Sequence, residues 1–172
     1  AKQRQLSELR RVTDDLRNIA DGVIAAGLPL GGKPSSALDL AYENLRVAVR
    51  AAYPEAGERD RVHLESIIDS GLTPTVSTDY HRWRPLHWVI EAPDIIVSRG
   101  GFDAVVGNPP FLVSKRISGA IGVPVREWLI EQIAGGRRGG ADLVAYFLIR
   151  AVGLLRTSGS IGLITSKVIA EG

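Results

Sequence analysis

The run Phe102-Asp103-Ala104-Val105-Val106-Gly107-Asn108-Pro109-Pro110-Phe111 is the stretch of this chain whose residue types and spacing point most sharply to chemistry. Phe102 to Val106 is a compact apolar run that reads as a strand. Gly107 is expected to let the chain turn sharply where that strand ends. Asn108 then stands at the strand's carboxyl end, where open α/β sheets place their ligands. Pro109 and Pro110 fix the backbone and carry no N–H, so nearby carbonyls are not consumed by a continuing helix. The Asn108 side-chain oxygen and a backbone carbonyl make two acceptors aimed at one point. That pair suits a planar exocyclic amine, which has two hydrogens to donate. Phe111 supplies a flat apolar face for a ring to stack on. A bare Asn-Pro-Pro would be an ordinary turn; the strand, the glycine and the aromatic make the string specific.

Other constellations carry less. Gly27-x-x-x-x-Gly32-Lys33 matches most of a phosphate-binding loop, but Pro34 stands where a magnesium-binding Ser or Thr belongs. The segment also follows a helix and not a strand, so it reads as an interhelical loop. His63, His81 and His87 lack the spacing of a helix-borne metal site, and with no Cys a thiolate site is excluded. No metal is expected. The segment HRWRPLHW (81–88) reads either as packing plus surface charge or as an aromatic, basic face for nucleic acid. Arg137 and Arg138, between glycine pairs, form either a mobile surface loop or a phosphate grip. No Gly-x-Ser-x-Gly elbow is present.

The elements that must position the string follow from periodicity. Leu6, Leu9, Val12, Leu16, Ile19, Val23 and Ile24 recur at helix spacing, until Gly27 and Pro29 end the run. A second helix is expected over 37–52, capped by Ser35 or Ser36, and a short third over 61–69. Residues 70–79 read as a linker. Trp88–Ile90 and Asp94–Val97 are short apolar stretches, and 125–133 reads as a helix. Asp142 is placed to cap a helix that runs to about Leu155, is apolar on most faces and is expected to be well buried. Ser158-Gly159 reads as a turn, and Ile161–Thr165 as a short buried strand. Strand, helix, turn, strand is the βαβ signature of a parallel α/β sheet. The fold class is therefore α/β, with a helical segment and linker over 1–80 and the sheet-bearing domain over 81–172.

The 172 residues suffice for one sizeable core, and 45% hydrophobic with 23% charged composition excludes disorder. No apolar run is long enough to cross a membrane, and no signal peptide opens the chain, so a cytoplasmic protein is expected. A net charge of +2 permits a nucleic-acid partner without arguing for one.

The string resembles the Asn-Pro-Pro-Tyr/Phe motif of S-adenosylmethionine-dependent amino methyltransferases. His87-Trp88-Val89-Ile90-Glu91-Ala92-Pro93-Asp94 resembles the HW-x-x-E-x-P-E segment of large adenine-specific DNA methyltransferases of restriction-modification and phage-defence systems. Ala141-Asp142-Leu143-Val144-Ala145-Tyr146-Phe147 is similar to their DLY-x-x-F helix, and residues 154–165 to their LLKPGG-x-x-x-x-IT unit. The likeness covers about residues 81–172. It implies part of a Rossmann-like methyltransferase sheet acting on a flipped adenine in DNA. By that resemblance Asn108 and the Pro109 carbonyl accept the N6 amine, Pro110 shapes the turn and Phe111 stacks on the base. Glu91 lies where such enzymes carry an acidic residue near the cofactor's adenosine. Asp103 serves structure at the start of the strand. Lys115, Arg116, Arg137 and Arg138 are the candidates for DNA phosphates.

The departures bear on this. The family's glycine-rich cofactor motif, of the form DPACGSG, is missing from residues 1–107, and Ser166-Lys167 stand where the family has Pro-Asn. The chain therefore reads as an internal fragment, expected to be inactive alone or active only with a partner supplying that motif. The expected partners are DNA and the remainder of a larger methyltransferase. Two rival readings stay open. One is methyl transfer to a protein glutamine or to an rRNA guanine, which shares the planar nitrogen chemistry. The other is a non-catalytic DNA-binding or assembly subunit.

Overall fold

The computed structural model describes residues 2–165. The Ser166-Lys167 departure lies outside the described residues. Three helices open the chain: α1 (Lys2–Gly27), α2 (Ser36–Ala52) and α3 (Val62–Leu72). Ser35 caps α2, its hydroxyl accepting from Leu38 N at 3.2 Å. The third helix runs three residues beyond the expected Asp69, because Ile68 and Leu72 are both buried in the helical core. That core is built from Ala25, Leu28, Leu45, Ala48, Ala52 and Leu64 besides these two.

The apolar face expected along all of α1 is used only in part. Leu6, Leu9, Val12, Leu16 and Val23 are exposed. For Leu6 and Leu9 the reason is length. With 26 residues α1 is about 39 Å long, whereas the 17 residues of α2 reach only about 26 Å back along it from the Gly27 end. The first turns of α1 overhang the helices that pack against it.

The interhelical loop reading of Gly27–Lys33 holds. Leu28–Leu30 forms a tight helical turn, and Gly31 and Gly32 take left-handed φ of 68° and 65°. A Cβ at Gly32 would lie 2.8 Å from the Trp128 ring, and Gln132 donates to Gly32 O at 2.8 Å. The glycines thus seat side chains of a later element, not a phosphate.

That element belongs to the second half. A single turn α4 (Trp88–Glu91) and a wider π-type turn Asp94–Ser98 precede strand β1 (Phe102–Gly107). Helices α5 (Ser114–Ile121), α6 (Val123–Trp128) and α7 (Leu143–Val152) follow, then strand β2 (Leu155–Leu163). The helix expected over 125–133 is α6 continued by a π-type turn, Leu129–Ile133. The strands pair in parallel, Val105 opposite Ile161 and Gly107 opposite Leu163. This is a βαβ connection with α5 to α7 in the crossover.

The turn expected at Ser158-Gly159 is absorbed into β2. Register shifts between Phe102–Leu155 and Ala104–Ser160, and the additional residues bulge out there. Asp103 spans the shift: Arg156 donates to it at 2.6 Å and Arg99 at 2.6 Å. The Arg156 hydrogen bond, with the charge of Arg99, holds its carboxyl below the usual carboxylate range. Its expected structural role is therefore met at the site of the bulge. Helix α7 is less buried than its composition suggests. Leu143, Val144, Tyr146 and Ala151 are buried, but Phe147, Ile149 and Val152 are exposed.

The two halves share contacts across residue 80. Trp83, Val125 and Trp128 pack on the helical core. Asp21 and His87 Nε2 meet at 2.8 Å, and Arg17 donates to Glu91 at 2.9 Å. The pairs sit one helical turn apart on both segments, so His87 and Glu91 are seated along α1, while Arg82 earlier in the HRWRPLHW stretch pairs with Asp69 of α3. Trp88 then meets Phe102 edge-on, ring centres 5.2 Å apart, which links that stretch to the first residue of β1.

Candidate active site

The site grows from the carboxyl end of β1. Pairing continues to the last strand residue, Gly107 O accepting from Ile164 N at 3.1 Å. Residues 108–113 then have no regular structure, and α5 starts only at Ser114. The two prolines account for this, since neither can donate to a helix or ladder. Pro109 is buried and acts as the loop's anchor; Asn108, Pro110 and Phe111 are exposed. At the far end Leu112 packs against a second core of Ile117, Ile130, Leu143 and Tyr146.

A cleft of about 250 Å³ opens at this point. Gly107, Asn108, Pro109 and Pro110 form one side, Phe147 and Ala151 of α7 another, and Leu163 of β2 the base with Val105 and Val106. Asn108, Pro109 and Pro110 thus line the same cleft. Phe111 is not among the lining residues and stands 54% exposed beside the cleft, a ring without a packed face. Phe147, which the sequence offers only as the closing aromatic of the helix similar to DLY-x-x-F, gives the cleft an aromatic wall. The available signal was its i, i+4 relation to Ala151 on the helix that leads into β2.

Gly107 does not make the sharp turn expected of it. It has no positive φ, and a Cβ there would meet only Leu163 Cδ2, at 3.7 Å. A side chain there would project beside Leu163 at the cleft. Gly107→Ala is therefore expected to fold normally while narrowing the cleft. Unchanged thermal unfolding with weakened cofactor or substrate binding, read by calorimetry on the full-length protein, checks this.

The charged candidates are placed differently. Lys115 and Arg116 lie exposed on the first turn of α5, directly beyond the loop. Arg137 is exposed after the left-handed Gly135 and Gly136. Arg138 is held by Glu127, which it contacts through both terminal nitrogens, and lies 3.7 Å from Glu131. The Arg138 hydrogen bond keeps the Glu127 carboxyl below its usual range. Glu91 is likewise engaged, its carboxyl lowered chiefly by the Arg17 hydrogen bond, and it does not line the cleft. Among the described residues no group of three or more His, Cys, Asp or Glu is placed to hold a metal ion. No helix there is long and apolar enough to cross a membrane.

The cleft walls suit a flat ring system. Phe147, Pro110 and Leu163 offer apolar surface, and Asn108 offers a carboxamide beside it. No acidic side chain lines the cleft, so these residues fit one face of an adenosine-bearing cofactor or a target base, with Asn108 as the one polar side chain among them.

Residues 35–171 match the sequence profile described as Eco57I restriction-modification methylase. The match begins at the cap of α2, so it takes in helices that precede the motif-bearing half. No curated protein and no solved structure matches the chain.

Proposed function

This chain belongs to the Eco57I restriction-modification methylase family, a family of DNA methyltransferases, and from that premise we propose that it serves N6 methylation of a flipped adenine. The observation that carries the reading is Asn108 exposed at the cleft rim, at the end of a strand, beside a buried proline. Asn108 Oδ1 and the Pro109 carbonyl accept the two N–H bonds of the adenine amine. Holding both hydrogens in this way favours the pyramidal nitrogen over the planar one, which is a preference for the transition state. Phe111, exposed beside the cleft, is the stacking surface for a base taken out of the duplex. S-adenosylmethionine, when bound, supplies an electrophilic methyl group. Phe147 and Pro110 are the residues of this chain suited to hold its flat adenosine. Lys115 and Arg116 are the phosphate contacts best placed, being uncommitted by any described ion pair and adjacent to the loop. Arg137 and Arg138, both exposed, are further phosphate contacts, Arg138 after exchanging Glu127 for a phosphate.

The test is methyl transfer from labelled cofactor by the full-length protein, offered DNA, a release factor and ribosomal RNA in parallel. Label recovered as N6-methyladenine from DNA is the expected result. Label on a glutamine amide or on guanine moves the target to protein or RNA. No transfer together with no cofactor binding supports a non-catalytic DNA-binding or assembly role.

A further inference from the structure

Asp142 immediately precedes α7 and, from sequence, is expected to cap that helix. It does not: no side-chain cap bond forms at the start of α7. Its Oδ1 instead accepts from Ser114 N at 2.8 Å. Ser114 is the first residue of α5, and Val113 at the cap position there supplies no side-chain hydrogen bond. The first N–H groups of a helix have no partner inside it, and a carboxylate answers both that need and the positive end of the helix dipole. Asp142 therefore caps α5 from a different element.

A second bond runs beside the first. Leu143 N donates to Leu112 O at 2.9 Å. Neighbouring residues of one segment, 142 and 143, thus grip residues 112 and 114 of the other, one as acceptor and one as donor. Leu112 also packs on Ile117, Leu143 and Tyr146. At the near end, Gly107 O is held by Ile164 N at 3.1 Å. The Asn108–Val113 loop is therefore clamped at both ends. Asp142 is the one side chain whose hydrogen bond forms part of that clamp among the described residues.

We propose that Asp142 is a positioning residue for methyl transfer: by capping α5 through Ser114 it sets where Asn108 and Phe111 stand. It does not line the cleft, so it acts through the loop. The proposal rests on the catalytic reading of Asn108.

Two substitutions in the full-length protein test it. Asp142→Ala removes the acceptor, while Asp142→Asn keeps an oxygen in the same place. Amide hydrogen exchange over 108–121, the Ser114 amide above all, is expected to quicken in Asp142→Ala and stay near the unaltered rate in Asp142→Asn. Methyl transfer at saturating DNA is expected to fall roughly 10²-fold in Asp142→Ala, the scale of an ångström's misplacement of a reacting group. DNA affinity should hold, and Asp142→Asn should recover most of the rate. Unchanged exchange in Asp142→Ala overturns the proposal whatever the rate does. So does faster exchange with undiminished transfer, or a rise spread over the whole chain in both variants. A parent protein that transfers no methyl group refutes the catalytic reading instead, and the exchange data still decide whether Asp142 holds the loop.

Discussion

Asn108→Ala in the full-length protein is expected to lower methyl transfer to DNA by roughly 10²–10³-fold, the range seen when one aligned hydrogen-bonding group is removed from a transition state. The loss should fall on the rate at saturating substrate and not on DNA affinity, because the phosphate contacts are elsewhere. The fold should be untouched. Asn108 is exposed and follows the last paired residue of β1, so its truncation leaves no cavity. Asn108→Asp is informative beside it. The carboxylate keeps an oxygen at the same place, so partial activity would mean that acceptor geometry dominates. A wild-type rate in Asn108→Ala would remove the amine-holding role from this residue.

Gly71→Ala is expected to cost about 3 kcal/mol, the upper end of ordinary overpacking. The reason is the closeness of α1 and α3. A Cβ at Gly71 would lie 2.1 Å from Ala25 O, 2.5 Å from its carbonyl carbon and 2.7 Å from its Cα. All three are backbone atoms, so no rotamer change relieves the contact and the helices must separate. Gly71 has no positive φ, so the penalty is steric and not conformational. Leu72 and Ile68 flank it in the helical core, and separation would open packing around both. A chain of this size should lose roughly 6–12 °C in melting temperature for such a change. Gly119→Ala in α5, where a Cβ meets nothing within 4 Å, is the matched control and should be neutral or stabilising. Equal melting temperatures for the two variants would refute the close α1–α3 contact.

Residue types and short spacings were enough to locate most of the elements. The cap at Ser35 and the strand from Phe102 agree with local rules of turn chemistry and apolar runs, whereas the second strand, expected buried over 161–165, runs Leu155–Leu163 and is mostly exposed. The misjudged features each depend on a distant partner. Leu6 and Leu9 carry a helix periodicity that says nothing about whether another helix is long enough to cover it. Asp142 has the right residue type and position for its own helix, yet its carboxylate serves Ser114, 28 residues away in sequence. Glu91 is expected near a cofactor and Arg138 at a DNA phosphate, but Arg17 and Glu127 meet them through tertiary approach. Phe147 reads as one more apolar helix position, and only the placement of α7 against β1 and β2 turns it to the cleft.

What the sequence determined by itself is the chemistry on offer: a strand that must stop at Asn108, two prolines that forbid a helix or ladder there, and an amide with an aromatic beside it. Those follow from covalent structure and local sterics, which no tertiary contact alters. The tertiary structure decided how that chemistry is held. It set which side chains wall the cleft, which charges are already neutralised, and which carboxylate clamps the loop. These depend on the meeting of residues far apart in the chain, whose closeness comes from burying two cores and not from any spacing along it.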